Sequence, residues 1–356
     1  MKKYNWSTHK IVKETEDTIS IYFDTAQQTF SYLPGQYLNI KCVINEEQVV
    51  RSYSLSSKPS DKFPSVTIKR VAGGKMSNHL VDNAIFISTW EIEGPFGNFV
   101  LEKQVAAHAQ IVLLAGGSGI SPLFSMFKSI DKSAKTPLLL YGNKSPEETI
   151  FWYELEAMQA DGRLNPYYSF TSKEFASSKI NHIAGRFSPL MLRSIIRKEI
   201  AILEEAHYYI CGPIGLMELY QEALLGLNIS PEQIHNEYFD PVPEENQVIE
   251  NDGIAKDIIV NYYEDNYVDG ETQTYECTLL IEVKAKQSLL DAMSEHHIKV
   301  PNACRNGTCG TCWALKTGGE VLMVNNHALT EQDIAEGAIL LCQSYPVDQD
   351  LTISLL

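Results

Sequence analysis

The stretch CRNGTCGTC, running from Cys304 to Cys312, decides the reading of the C-terminal third of the chain. Its cysteines stand as C-x4-C-x2-C, and 29 residues separate Cys312 from Cys342. This is the spacing of a plant-type [2Fe–2S] cluster. Two irons need four thiolates, and here three come from one loop and Cys342 from a distant segment. Gly307 and Gly310 allow the backbone to wrap closely and turn its N–H groups toward the sulfurs. The alternatives are a zinc site or unrelated thiols. Structural zinc usually shows two paired knuckles, whereas this chain has one C-x2-C preceded by a four-residue gap.

Outward from that loop, residues 255–356 carry a strand (DIIVNYY), a polar turn region, and a longer strand (TYECTLLIEV). A helix is expected to open at Ser288, where SLLD offers a capping box of Ser288 with Asp291. Residues 241–254, PVPEENQVIENDGI, are polar and acidic with two prolines, and read as a linker. Between 104 and 240, the apolar runs IVLLA, PLLLYG, NPYYSFTS and HYYICG alternate with helical stretches, clearest at 151–160 and 213–227. That alternation predicts an α/β domain with a doubly wound parallel sheet. Residues 1–103 hold short strands at 19–23, 37–43, 52–57 and 65–71 between Pro, Gly and Asn turns, as an antiparallel β-barrel or sandwich would.

RSYSLSS, Arg51 to Ser57, lies on one of those barrel strands. Read as a flavin site, it puts Arg51 on a phosphate, Tyr53 over one face of the isoalloxazine, and the Ser54 hydroxyl near N5. About twenty residues on, GGKMS supplies Gly73 and Gly74 for a phosphate nest, and Ser77 to cap a helix facing the anion. An ordinary strand tyrosine and a Gly-Gly turn are the plainer alternative. LLAGGSGISP places Gly117, Gly119 and Pro122 where a strand ends and a helix begins. There, glycines admit a pyrophosphate close to the backbone, and proline needs no N–H.

With GPFGNF at 94–99, these motifs resemble the ferredoxin–NADP reductase family, and residues 255–356 resemble plant-type ferredoxins, which implies a β-grasp (α+β) fold. Trp313 departs from that pattern, since relatives often carry a basic or small residue there, and the departure bears on partner contacts. The resemblance implies FAD as the flavin, with FMN found in some relatives of the same domain order. It places Cys211-Gly212-Pro213 beside the nicotinamide ring, and it puts Glu237 at the flavin–nicotinamide junction with Phe239 against the rings. Thr171 to Glu174, TSKE, resembles the stretch where NADP-using relatives hold the 2′-phosphate. Ser172 and Lys173 would then do so and NADPH would be the donor. A solvated loop lysine is the alternative and leaves NADH open. Cys42 and Cys277 carry no such context.

Within that family the domain order resembles the oxygenase reductases with a C-terminal ferredoxin domain, typified by the reductase component of phenylacetyl-CoA epoxidase. The implied activity is NAD(P)H oxidation, with the flavin converting a two-electron hydride into single electrons for the cluster. A separate terminal oxygenase would be the acceptor. Reductases of a ring-hydroxylating dioxygenase, a desaturase or a deoxysugar enzyme are alternatives. A non-catalytic assembly protein would have lost ligands, yet Arg51, Tyr53, Ser54, Cys211 and all four cluster cysteines are present.

Composition narrows the rest. A net charge of −16 argues against nucleic acid as a partner. From Ala255 to Leu356 there are six Lys and Arg against fifteen Asp and Glu, so the acid gathers in the C-terminal segment. The sequence shows no signal peptide and no apolar run of membrane-spanning length, which implies a cytoplasmic protein without a membrane partner.

Overall fold

A computed structural model describes residues 2–172, 179, 181–239, 253–268, 271–302, 305, 307, 310–326 and 328–355. The chain divides into two compact units, Met1–Asp240 and Pro241–Leu356. Of the expected linker, only Gly253 and Ile254 belong to the described residues.

The first unit opens with a six-stranded antiparallel sheet: β1 (Lys3–Thr15), β2 (Thr18–Asp24), β3 (Tyr37–Ile44), β4 (Glu47–Ser54), β5 (Ser65–Lys69) and β6 (Thr89–Phe96), in the order β4-β3-β6-β1-β2-β5. Alternation in β1 buries Tyr4 and Trp6, which meet Phe23, Leu38, Ile40, Val66 and Trp90 inside the curled sheet. Helix α1 (Lys75–Asn83) follows β5 and closes one mouth with Met76 and Leu80.

After α2 (Lys103–His108), the chain builds a parallel sheet from β7 (Gln110–Gly116), β8 (Leu138–Asn143), β9 (Asn165–Phe170), β10 (His182–Ala184), β11 (Ala206–Cys211) and β12 (Ile234–Glu237). Its order is β10-β9-β8-β7-β11-β12. Helices α3 (Ile120–Ser129) and α4 (Trp152–Ala160) cover one face, α5 (Pro189–Glu199) and α6 (Ile214–Leu225) the other, each with its own buried cluster. Runs such as IVLLA are apolar throughout because both faces are covered. Strand β12, IHNE, was not expected as a strand; it pairs in parallel with β11 at the edge.

The second unit is a β-grasp-like fold. Its five-stranded sheet has the order β14-β13-β19-β15-β17, from β13 (Lys256–Val268), β14 (Glu271–Val283), β15 (Trp313–Gly318), β17 (Ala338–Leu340) and β19 (Thr352–Ser354). Helix α7 (Leu289–Glu295) packs Leu289, Leu290 and Met293 onto it, while β16 (Val321–Met323) and β18 (Ser344–Pro346) form a small second ladder. A short α8 (Glu331–Ala335) precedes β17. One expectation needs correcting. The polar turn region between DIIVNYY and TYECTLLIEV is mostly strand, since β13 and β14 stay paired from Lys256↔Val283 out to Val268↔Glu271. The stretch is polar in sequence, so it gives no apolar signal for a strand.

Candidate functional site

Strand β4 carries RSYS at its end and then leaves the ladder, so the read-out strand of 52–57 stops at Ser54. The rest of the motif is a tether. The Ser57 hydroxyl accepts from the Ser65 N–H (2.8 Å) and meets the Tyr32 hydroxyl (2.7 Å), and the Ser57 carbonyl accepts from the Ser125 hydroxyl on α3. Arg51 is exposed; its guanidinium donates to the Val50 carbonyl and has no carboxylate partner among the described residues. It is therefore available to an anionic group. Tyr53, two residues on along the same face, is half-buried against the barrel core.

Ser54, Cys211 and Glu237 converge. In the parallel ladder Cys211 lies opposite Glu237, both at the C-terminal ends of their strands. The Ser54 hydroxyl reaches the Glu237 carboxyl at 3.4 Å, across 183 residues of sequence. Burial pushes the Glu237 carboxyl up to about 8, only partly offset by the Ser54 hydrogen bond. Burial, and Glu237 beside it, push the Cys211 thiol well above its usual range. At neutral pH the junction is therefore uncharged: a thiol and a carboxylic acid rather than two anions.

This arrangement has a consequence for stability. Because Glu237 holds its proton more tightly when folded, the native state binds more protons than the unfolded one between the ordinary carboxyl range and about 8. Stability is thus fully present at low pH, declines as pH rises through that window, and levels off above it, at about 1.4 kcal/mol per unit at most. Glu237→Gln should abolish the decline. Thermal melts from pH 5 to 9 check this, with parallel wild-type and variant profiles as the contrary result.

The glycines of the two loop motifs differ in their surroundings. Gly73 (φ +71°) and Gly117 (φ +50°) are in the left-handed region, and nothing lies within 4 Å of where a Cβ would stand on either. Such open, positive-φ glycines suit a phosphate nest. Gly119 serves the opposite purpose: a Cβ there would come within 2.2 Å of the Cys211 carbonyl oxygen. It lets the loop before α3 press onto the end of β11. Pro122 sits in the first turn of α3, and Pro213 is the residue that caps α6, next to Gly212. Ser77 corrects its expectation. Gly74 occupies the cap position of α1, and the Ser77 hydroxyl, inside the first turn, accepts from the Val71 N–H at 3.2 Å. Ser172 donates its N–H to the Lys144 carbonyl, whereas Lys173 lies outside the described residues. Phe239, beyond β12, is 40% exposed.

In the second unit, Cys312 and Cys342 are 2% and 5% exposed and belong to one buried cluster; Cys304 and Cys309 lie outside the described residues. The Leu341 N–H donates to the Cys312 carbonyl (3.0 Å), joining the two cysteine-bearing segments. Gly307 has φ +80°, and a Cβ on it would stand 2.5 Å from the Asn325 carbonyl oxygen, so only glycine fits.

Three residues that sequence reasoning missed fix this loop. The Gln343 amide donates to the Arg305 carbonyl (2.9 Å) while its oxygen accepts from Asn325, tying the loop to the Cys342 segment. The Arg305 guanidinium is bonded to Asp291. The Ser288 hydroxyl accepts from the Asp291 N–H at 3.2 Å, so Ser288 caps α7 as expected, while the Asp291 carboxylate takes the Ser288 hydroxyl (2.7 Å) and this link to the cluster loop. A Gln directly after the last cysteine was the available signal. A buried thiol pair, glycine-shaped loop and converging backbone fit a thiolate-bound cluster.

Among the described residues no helix is long and apolar enough to cross a membrane. Family models match residues 6–101 as an oxidoreductase FAD-binding domain, 113–222 as an oxidoreductase NAD-binding domain, and 266–347 as a 2Fe-2S iron-sulfur cluster binding domain. The glycine betaine monooxygenase reductase subunit of Pseudomonas aeruginosa is 30% identical, over 95% of this chain and 91% of its own length. The ferredoxin reductase component of 3-ketosteroid-9-alpha-monooxygenase from Rhodococcus rhodochrous is 31% identical over 96% and 94%. A component of the 1,2-phenylacetyl-CoA epoxidase of Escherichia coli is 26% identical over 97% and 95%. Phthalate dioxygenase reductase superposes with a TM-score of 0.57 at 21% identity, covering 99% of this chain and 98% of that one. Fold, family models and relatives agree: the chain belongs to the ferredoxin–NADP reductase family, as an NAD(P)H oxidoreductase with FAD-binding, NAD-binding and C-terminal [2Fe–2S] ferredoxin domains.

Proposed function

We propose that the chain takes hydride from NADPH, in preference to NADH, with the flavin held by residues 1–103 and the nucleotide by residues 104–240. Single electrons then leave through a cluster in residues 255–356 to a separate terminal oxygenase. The convergence of Ser54, Cys211 and Glu237 carries this reading, because it joins the barrel motif to the ends of two nucleotide-domain strands.

Bound FAD would accept two electrons as hydride and release them singly, and the cluster would carry one at a time. The chain's own residues do the rest. Arg51 and the open Gly73 site would anchor phosphate on the flavin side, with Gly74 and Ser77 shaping that turn. Gly117 and Gly119, with Pro122 starting α3, would take the pyrophosphate of the nucleotide. Tyr53 would offer an aromatic face to the flavin, with Phe239 and the Gly212-Pro213 turn against the rings. Ser172 and Lys173 would meet a 2′-phosphate. Ser54, Cys211 and Glu237 keep the meeting point of the rings uncharged, and Glu237 holds an exchangeable proton at its carboxyl oxygen. Cys304, Cys309, Cys312 and Cys342 would bind the irons.

For the acceptor, we propose an oxygenase of the phenylacetyl-CoA epoxidase kind. The higher identity to reductases of two monooxygenases favours a monooxygenase as the second reading. Arg51→Ala tests the flavin assignment. Loss of a charge-assisted phosphate contact worth about 2 kcal/mol should weaken flavin binding roughly thirtyfold, read by fluorescence titration of the deflavinated protein. Unchanged affinity would move the phosphate site elsewhere.

A further inference from the structure

The β13–β14 hairpin outgrows its sheet. The β19 ladder on β13 covers Ile259, Val260 and Asn261, so among the described residues β13 pairs from 262 to 268 with β14 alone. Register fixes where the ribbon points. Asn261 is level with Ser354, and Ser354 with Leu315, on a β15 that runs the opposite way. Two residues further along β13, Tyr263 is level with Trp313, and Glu264 with Cys312. The ribbon therefore projects past the end of the sheet that carries the cluster cysteines.

Its surface is unusual for a strand pair. Strand β14 lies at the sheet's edge, and the side chains of Thr274, Tyr275, Glu276, Thr278, Leu279 and Leu280 are exposed on both of its faces. Tyr263 and Tyr275 are 55% and 45% exposed, and Leu280 63%. A long edge with exposed apolar groups invites another strand or surface to cover it. Charge selects the occupant. From residue 257 to 283 there are seven Asp and Glu and no Lys or Arg. The whole unit, Pro241–Leu356, has six Lys and Arg against nineteen Asp and Glu, which accounts for −13 of the chain's −16. Pairing with a second copy would bring two such edges together and is opposed by their repulsion.

We propose that the ribbon is a docking arm for the electron-accepting protein. That protein would present a Lys- or Arg-rich face with apolar ground at its centre, seated on the ribbon's exposed tyrosines and the leucines at its root, and held beside the cluster. The proposal rests on the reading that electrons leave from the cluster. Complementary charge of this kind acts mainly on association rate and is screened by salt.

Cytochrome c, a basic one-electron acceptor, serves as the probe, with ferricyanide as a small anionic control, both on the flavin- and cluster-loaded full chain. Wild-type cytochrome c reduction should fall at least tenfold from 10 mM to 300 mM salt. Glu264→Lys with Glu276→Lys should lower its low-salt rate constant about tenfold and flatten that dependence, with the visible cluster spectrum and ferricyanide rate preserved. A salt-independent wild-type rate, or a double variant with the wild-type rate and salt dependence, overturns the docking arm. Cytochrome c reduction that survives Cys342→Ser instead overturns the cluster as exit, whatever the ribbon variants do.

Discussion

Cys342→Ser should reduce electron delivery to a protein acceptor by more than a hundredfold while NADPH-driven ferricyanide reduction keeps at least half its rate. Cys342 lies in the core of the second unit, beside Cys312 and behind the Gln343 bonds that hold the cluster loop. A serine hydroxyl is a far harder and less acidic donor than a thiolate, so one iron would lose its ligand. The flavin and nucleotide residues all lie in the first unit, which has its own buried clusters and no need of this cysteine. Stopped-flow reduction by NADPH, followed separately at flavin and cluster wavelengths, distinguishes the two losses. Equal loss of both activities would mean that the two stations are not separable.

Gly119→Ala is the second large effect. Its φ is ordinary for any residue, so the cost comes from space alone. The added methyl would stand 2.2 Å from the Cys211 oxygen, 2.4 Å from its carbonyl carbon and 2.6 Å from the Gly212 nitrogen. All three are backbone, so no side chain can swing aside. Either α3 lifts or the end of β11 retreats, and the second displaces Cys211 and Glu237 together. Overpacking of this kind costs about 1–3 kcal/mol, and for a unit of this size the melting temperature should fall by roughly 3–10 °C. Flavin reduction by NADPH should slow at least tenfold, because ring alignment tolerates little misplacement. Gly117→Ala is the control: nothing surrounds its Cβ position, so its penalty is one of backbone conformation, and Cys211 stays in place. A Gly119→Ala protein as stable and as fast as the parent would show that the loop and strand are not in this contact.

Much of this was readable from the residues. Apolar runs such as IVLLA and HYYICG announced buried parallel strands because both faces of that sheet are covered. Ser54 and Cys211 were named from motifs that the fold brings together. What escaped reading was whatever depends on partners far along the chain. IHNE has too few apolar residues to declare a strand, and only its place beside β11 makes it one. The outer part of the β13–β14 ribbon has strand pairing in a stretch of largely polar sequence, so periodicity was silent there. Ser57 and Ser77 were in quoted motifs, yet their hydroxyls turn to the Ser65 and Val71 amides. Asp291 was read as a local cap; the arginine it holds is brought to it by the fold.

The bond from the Ser125 hydroxyl to the Ser57 carbonyl stitches α3 to the chain just past the RSYS motif, and the bond from the Ser54 hydroxyl to the Glu237 carboxyl makes a second crossing between barrel and parallel sheet. Each such bond is worth about 1 kcal/mol, and both cross from one half to the other. The barrel and the parallel sheet therefore behave less like jaws than like two walls of a fixed slot. Parting those walls would require breaking both stitches at once, at a cost of about 2 kcal/mol.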